Sequence, residues 1–203
     1  MLMSKRHEDL RGRRGYRLRR VDVRERRERF LIVCEGEKTE PNYFLKFRVP
    51  REVVTVRGFG YNTVSLVEKA VELRHLDDYD QVWCVFDRDS FPAQDFNAAF
   101  SLAERVGIQI AYSNEAFELW YLLHFNYYDT AMSRGEYSKR LSKLLGSEYA
   151  KNREDIYDLL QPMQSAALRN ARRLMEEYDP PNPERDNPST SVHLLVEQLN
   201  RFL

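Results

Sequence analysis

The chain has 203 residues, of which 42% are hydrophobic and 32% charged, with a formal net charge of zero. That length and balance suit one sizeable domain, or a domain with an appendage, and no apolar run approaches the roughly twenty residues that a membrane helix requires. A basic start without an apolar run behind it is not a secretory signal, so a cytoplasmic protein is expected; Cys34 and Cys84 lie inside apolar runs and read as small buried hydrophobes, not as a zinc site.

The neutral total hides a division. Residues 1–30 hold 12 Lys and Arg against 5 Asp and Glu, and the remainder holds 20 against 27. Residues 1–29 therefore form a basic arm, with Gly12 and Gly15 interrupting any helix, and the arm is the part suited to nucleic-acid phosphate. The acidic body does not attract polyanions at long range, and a solvated tail is the competing reading of the arm.

Beyond the arm, strands and helices alternate. Phe30–Cys34 is an apolar strand that ends in Glu35-Gly36-Glu37, and Pro41 then stands in a first helical turn before Tyr43, Phe44 and Phe47. Residues 52–57, rich in Val and Thr, predict a second strand. Gly58 and Gly60 mark a loop, and Asn62 or Thr63 caps a helix whose apolar positions include Val64, Leu66, Val67, Ala70, Val71 and Leu73. The third strand, Gln81–Phe86, breaks off into Asp87-Arg88-Asp89. A helix over 93–106 follows, stopped by Gly107, and then a fourth strand over 108–112.

Such alternation predicts an α/β fold with a mainly parallel four-stranded sheet and helices on both faces. In extended chain Asp87 and Asp89 point the same way, with Arg88 opposed, and a carboxylate pair repels itself unless a cation lies between its members. With the first and third strands as parallel neighbours, Glu35, Asp87 and Asp89 converge at one sheet edge, where three oxygen ligands suit a hard divalent ion, Mg²⁺ foremost. With the first strand between the second and third, the crevice where the winding reverses also falls there.

A helix is expected from Ser113-Asn114 through Phe125. Glu115 reads as a first-turn carboxylate favoured by the helix dipole, and Glu118, among aromatics, needs a buried partner such as a metal or an arginine. His124 reads as a core histidine. Beyond Tyr128 strand signals vanish. Helices are expected over 136–145, 154–160 and 163–177, the last with Ala166, Ala167, Ala171 and Leu174 inward, then a proline-rich connector. Ser189 or Thr190 caps a final helix bearing Val192, Leu195, Val196 and Leu199. The division is thus an arm over 1–29, an α/β domain over 30–125, and a C-terminal helical appendage over 126–203.

The apolar strand ending in Glu-Gly, followed some fifty residues on by one ending in Asp-x-Asp, resembles the Toprim signature of topoisomerases, bacterial primases and OLD-type nucleases. The longer stretches FLIVCEGEKTEPNYF, VWCVFDRDSFP, AYSNEAFELWYLLHF and NPSTSVHLLVEQL are similar to the RloB-like proteins, over roughly residues 30–203. The resemblance implies a Toprim-like fold and a nuclease dependent on Mg²⁺ or Mn²⁺, acting on DNA or RNA in phage defence (abortive infection). It implies an ABC or OLD-type ATPase as partner, since this chain has no phosphate-binding Gly-rich loop of its own. On that reading Glu35, Asp87 and Asp89 are catalytic and bind metal, Glu37 or Glu115 adds oxygen where a second ion binds, Glu118 is a further ligand, and Lys151 in the turn 149–153 stabilises developing charge. Homo-oligomerisation is left open. Other readings of Asp-x-Asp are a phosphatase of the haloacid-dehalogenase kind, a metal-dependent glycosyltransferase and a primase-like nucleotidyltransferase. A non-catalytic subunit that binds metal or nucleic acid is the alternative of another class.

Overall fold

The computed structural model describes residues 28–47, 54–59, 63–88 and 92–202. The arm, except for Glu28 and Arg29, together with Gly60, Asn62 and Asp89, lies outside them.

Among the described residues five strands form one sheet in the order β2-β1-β3-β4-β5, with β1 Phe30–Cys34, β2 Val54–Gly58, β3 Gln81–Asp87, β4 Gln109–Asn114 and β5 Ser189–Thr190. The first four pair in parallel, and β5 runs antiparallel to β4. All five residues of β1 are buried. A strand covered on both faces needs no polar alternation, which is why the sequence shows unbroken apolar runs at β1 and β3.

Alternate side chains feed two separate cores. Leu31, Val33, Val82, Cys84, Phe86 and Tyr112 pack beneath α2 (Thr63–Arg74) and α3 (Ala93–Val106). Phe30, Ile32, Cys34, Trp83, Val85 and Ala111 face a larger cluster. It draws on α1 (Thr39–Phe44), α4 (Glu118–Leu123), α5 (Arg134–Leu145), α6 (Ile156–Leu160), α7 (Gln164–Glu176) and α8 (Val192–Asn200). Residues beyond 126 thus supply helices to a core shared with the sheet, and one strand to the sheet itself. Among the described residues no helix is long and apolar enough to cross a membrane.

Several expectations meet the structure directly. The first strand has the expected bounds, as does α3, whose stop at Gly107 adopts φ 69°, a left-handed conformation that glycine enters without a Cβ penalty. Thr63 opens α2. Three expectations are corrected. The second strand runs to Gly58, one residue past its expected end, and residues 52 and 53 lie outside the described ones. Ser113 and Asn114 do not begin a helix: they complete β4, and α4 starts at Glu118. Among the described residues the sheet has five strands, not four, because Ser189 and Thr190 add an edge strand; Thr190 Oγ1 also accepts from Val192 N–H (3.3 Å) at the start of the last helix, so its expected capping role is kept.

That edge strand is held by hydroxyls, not by apolar side chains. Ser113 Oγ and Thr190 Oγ1 are 3.0 Å apart, Thr190 Oγ1 donates to Tyr112 O (2.9 Å), and Tyr112 N–H donates to Ser191 Oγ (3.0 Å). A two-residue strand is too short to show an alternating pattern, so Ser189 and Thr190 carry almost no local signal.

Candidate functional site

β1 and β3 are adjacent and parallel, and the chain winds to β2 on one side of β1 and to β3 on the other, so their carboxyl ends flank the point where the winding reverses. Glu35 follows β1 and its N–H donates to Val85 O at 2.8 Å, extending the ladder by one residue. Asp87 is the last residue of β3, and its N–H donates to Glu35 Oε2 at 3.2 Å. These two predicted residues are brought together. Asp89 lies outside the described residues. Glu37 sits on the turn over 35–38 with its side chain exposed.

Glu118 begins α4 with its side chain only 4% exposed. Among the described residues the side chains that meet this carboxylate are a tyrosine and a lysine, not an arginine: Tyr149 OH donates to Glu118 Oε1 (3.1 Å), and Lys151 Nζ stands 3.9 Å from the same oxygen. Lys151 is otherwise well exposed, and its carbonyl accepts from Thr39 Oγ1 (3.1 Å), while Tyr121 OH donates to Thr39 O (3.2 Å). The loop carrying Tyr149 and Lys151 is thereby tied to the start of α1. Glu115, half-buried between β4 and α4, acts with Asp87 and Glu118 on Tyr137, whose hydroxyl burial and these negative charges keep protonated. His124 is buried in the core, with Nδ1 2.9 Å from Trp120 O, and burial lowers its pKa to about 4.

Two residues of the site escaped the sequence reading. Glu40, on α1, is 5% exposed. A Cβ on Gly36 would stand 2.9 Å from its Cδ and 3.0 Å from Oε1, so the glycine after Glu35 makes room for this carboxylate. The signal was present: Glu40 shares the helical i, i+3, i+4, i+7 face with Tyr43, Phe44 and Phe47, all buried. The second is Arg134, at the start of α5, whose Nη2 lies 3.6 Å from Asp87 Oδ2. Nothing local in the sequence connects it with β3.

The electrostatics follow from crowding acids in a place with little water. Burial raises the Glu40 pKa to about 7, the Glu118 charge adds to this, and Lys151 and Arg134 oppose it. Asp87 is held well above the ordinary carboxylate range by burial, then by Glu40 and Glu118, again against Arg134. Burial pushes the Cys34 and Cys84 thiols up, so neither offers a thiolate.

The donor set is all oxygen, and buried Asp87 Oδ1 has no hydrogen-bond partner, which fits a hard divalent ion. Among the described residues no three His, Cys, Asp or Glu side chains stand close enough together to hold one. An ion here would take few oxygens from these residues and keep several waters, as Mg²⁺ does.

No curated protein and no solved structure matches the chain. A family model described as RloB-like protein matches residues 30–199, and the chain belongs to the RloB-like protein family.

Proposed function

We propose that this RloB-like protein is a Toprim-type nuclease that hydrolyses phosphodiesters of DNA or RNA with Mg²⁺ or Mn²⁺. The observation that supports it best is the meeting of Glu35 and Asp87 across the carboxyl ends of β1 and β3, bonded at 3.2 Å, with Asp87 Oδ1 left unpaired. Glu35 and Asp87, joined by Asp89, would hold the ion, which when bound supplies neutralisation of the phosphate and a more acidic water. Glu35, half-buried at the strand end, accepts the proton of the attacking water. Lys151, positioned by Glu118 and exposed toward solvent, meets the negative charge that develops on the phosphate. In this reading the protein works in the cytoplasm as the effector of a phage-defence system, with an ABC or OLD-type ATPase supplying the nucleotide switch.

A second reading, a nucleic-acid-binding subunit without catalysis, draws on the two cations already set against the carboxylates, Arg134 on Asp87 and Lys151 on Glu118. One experiment separates the two: cleavage of labelled DNA and RNA by wild type and Glu35→Gln, in Mg²⁺ and in chelator, with the ATPase partner added in parallel. Glu35→Gln keeps size and removes the proton acceptor, so cleavage falls by about 10²-fold or more while the melting temperature holds. Full activity in a folded Glu35→Gln protein sinks the nuclease mechanism, and a wild type silent under every condition leaves the binding subunit.

A further inference from the structure

Arg134 occupies the first position of α5, where Ser133 N–H and Ser133 Oγ both donate to Glu136 Oε2, at 2.9 and 2.8 Å, and fix the start of the helix. Tyr137 and Leu141, about one and two turns on, are fully buried, so the backbone beneath Arg134 is also held by packing. The side chain itself is 40% exposed. Its Nη2 lies 3.6 Å from Asp87 Oδ2, an ion pair too long for a good hydrogen bond, and Oδ1 of the same carboxylate is buried without a partner.

We infer that Arg134 is an exchangeable counter-ion: it rests on Asp87 while the carboxylates hold no divalent ion, and turns outward to grip a phosphodiester of the nucleic acid when they do. This rests on the nuclease reading above. Two positive groups on one largely buried carboxylate repel each other, so ion and guanidinium compete for Asp87. The displaced guanidinium already has one side in water, where substrate arrives, and its planar fork matches two phosphate oxygens at once. Lys151 has no such exchange to make, because its partner Glu118 is also held by Tyr149. The arrangement couples the order of binding: loading the metal releases the residue that receives the strand.

The test uses the full chain and two probes, Mn²⁺ alone by calorimetry and a fluorescent single-stranded oligonucleotide in Ca²⁺ by anisotropy. Arg134→Gln should bind Mn²⁺ about tenfold more tightly and the oligonucleotide about tenfold more weakly, opposite shifts from one substitution. Arg134→Lys, which keeps the charge but not the fork, should hold Mn²⁺ affinity within about twofold and still lose oligonucleotide affinity. A folded Arg134→Gln protein with unchanged or weaker Mn²⁺ binding overturns the exchange. Should Arg134→Gln fail to fold by its melting curve, Arg134→Lys decides, and undiminished oligonucleotide affinity overturns it. Mn²⁺ bound by neither wild type nor variants overturns the metal-dependent reading itself, and the exchange with it.

Discussion

The face of the sheet beneath α2 and α3 buries Leu31, Val33, Val82, Cys84, Phe86 and Tyr112 against Leu66, Val67, Ala70, Phe96, Ala99 and Ala103. The opposite face carries the larger aromatic cluster, with Tyr43, Phe117, Trp120 and Tyr121 in edge-to-face and tilted contacts. At its upper rim it also holds the buried acids Glu40 and Glu118. One face is an apolar interior that supplies cohesion. The other surrounds charges that burial disfavours, and a large aromatic core is what keeps them in place. Stability and chemistry are thereby allotted to opposite sides of one sheet.

The allotment is broken most severely from the cohesive side. Phe96 touches Phe86, Phe100 and Tyr112 and is 2% exposed, so Phe96→Ala should cost about 3–5 kcal/mol in urea unfolding while the surviving folded protein binds Mn²⁺ as wild type does. A changed Mn²⁺ affinity would show that the two faces are not independent.

On the other face, Gly36→Ala drives a methyl into the Glu40 carboxylate and should destabilise by about 1–3 kcal/mol. Adding Glu40→Ala should recover most of that loss, whereas the same second change in wild type should not raise stability equally. Additive effects in this double-mutant cycle would refute the contact.

Titration sharpens the contrast further. Glu40 has a folded pKa of about 7 against its ordinary 4.5, so the folded state binds the extra proton and this residue's contribution to stability falls as pH rises through that window. His124 is the reverse: folded at about 4 against 6.5, it contributes above 6.5 and its contribution is lost as pH falls toward 4. The two slopes oppose each other between about 4.5 and 6.5. Glu40→Gln, measured in chelator, should therefore raise the melting temperature at pH 7.5 by a few degrees and leave a steeper loss of stability on acidification. An unchanged pH profile would mean that Glu40 is not the titrating group.

Much of this was legible in the chain. The unbroken runs at Phe30–Cys34 and in β3 announced two doubly covered strands, and their endings in Glu35 and Asp87 announced where the acids meet, because strand ends and winding reversal are both local and topological facts. Glu40 was legible in periodicity, yet a carboxylate beside Pro41 in a first turn also satisfies the ordinary helix-start pattern, and that pattern masked the buried face. Arg134 was not legible, since only the docking of α5 brings it to β3. The Ser-Thr edge strand was equally hidden, its pairing resting on hydroxyls and on a partner far along the chain.

That edge strand also sets a timetable. Ser113 and Thr190 are 77 residues apart, and at about 5–20 residues per second the ribosome needs roughly 4–15 s to deliver the second after the first. Throughout that interval the free edge of β4 offers unpaired amides and carbonyls, an invitation to strand pairing with a neighbouring nascent chain. The sheet is thus completed late in synthesis, by a last strand of two residues.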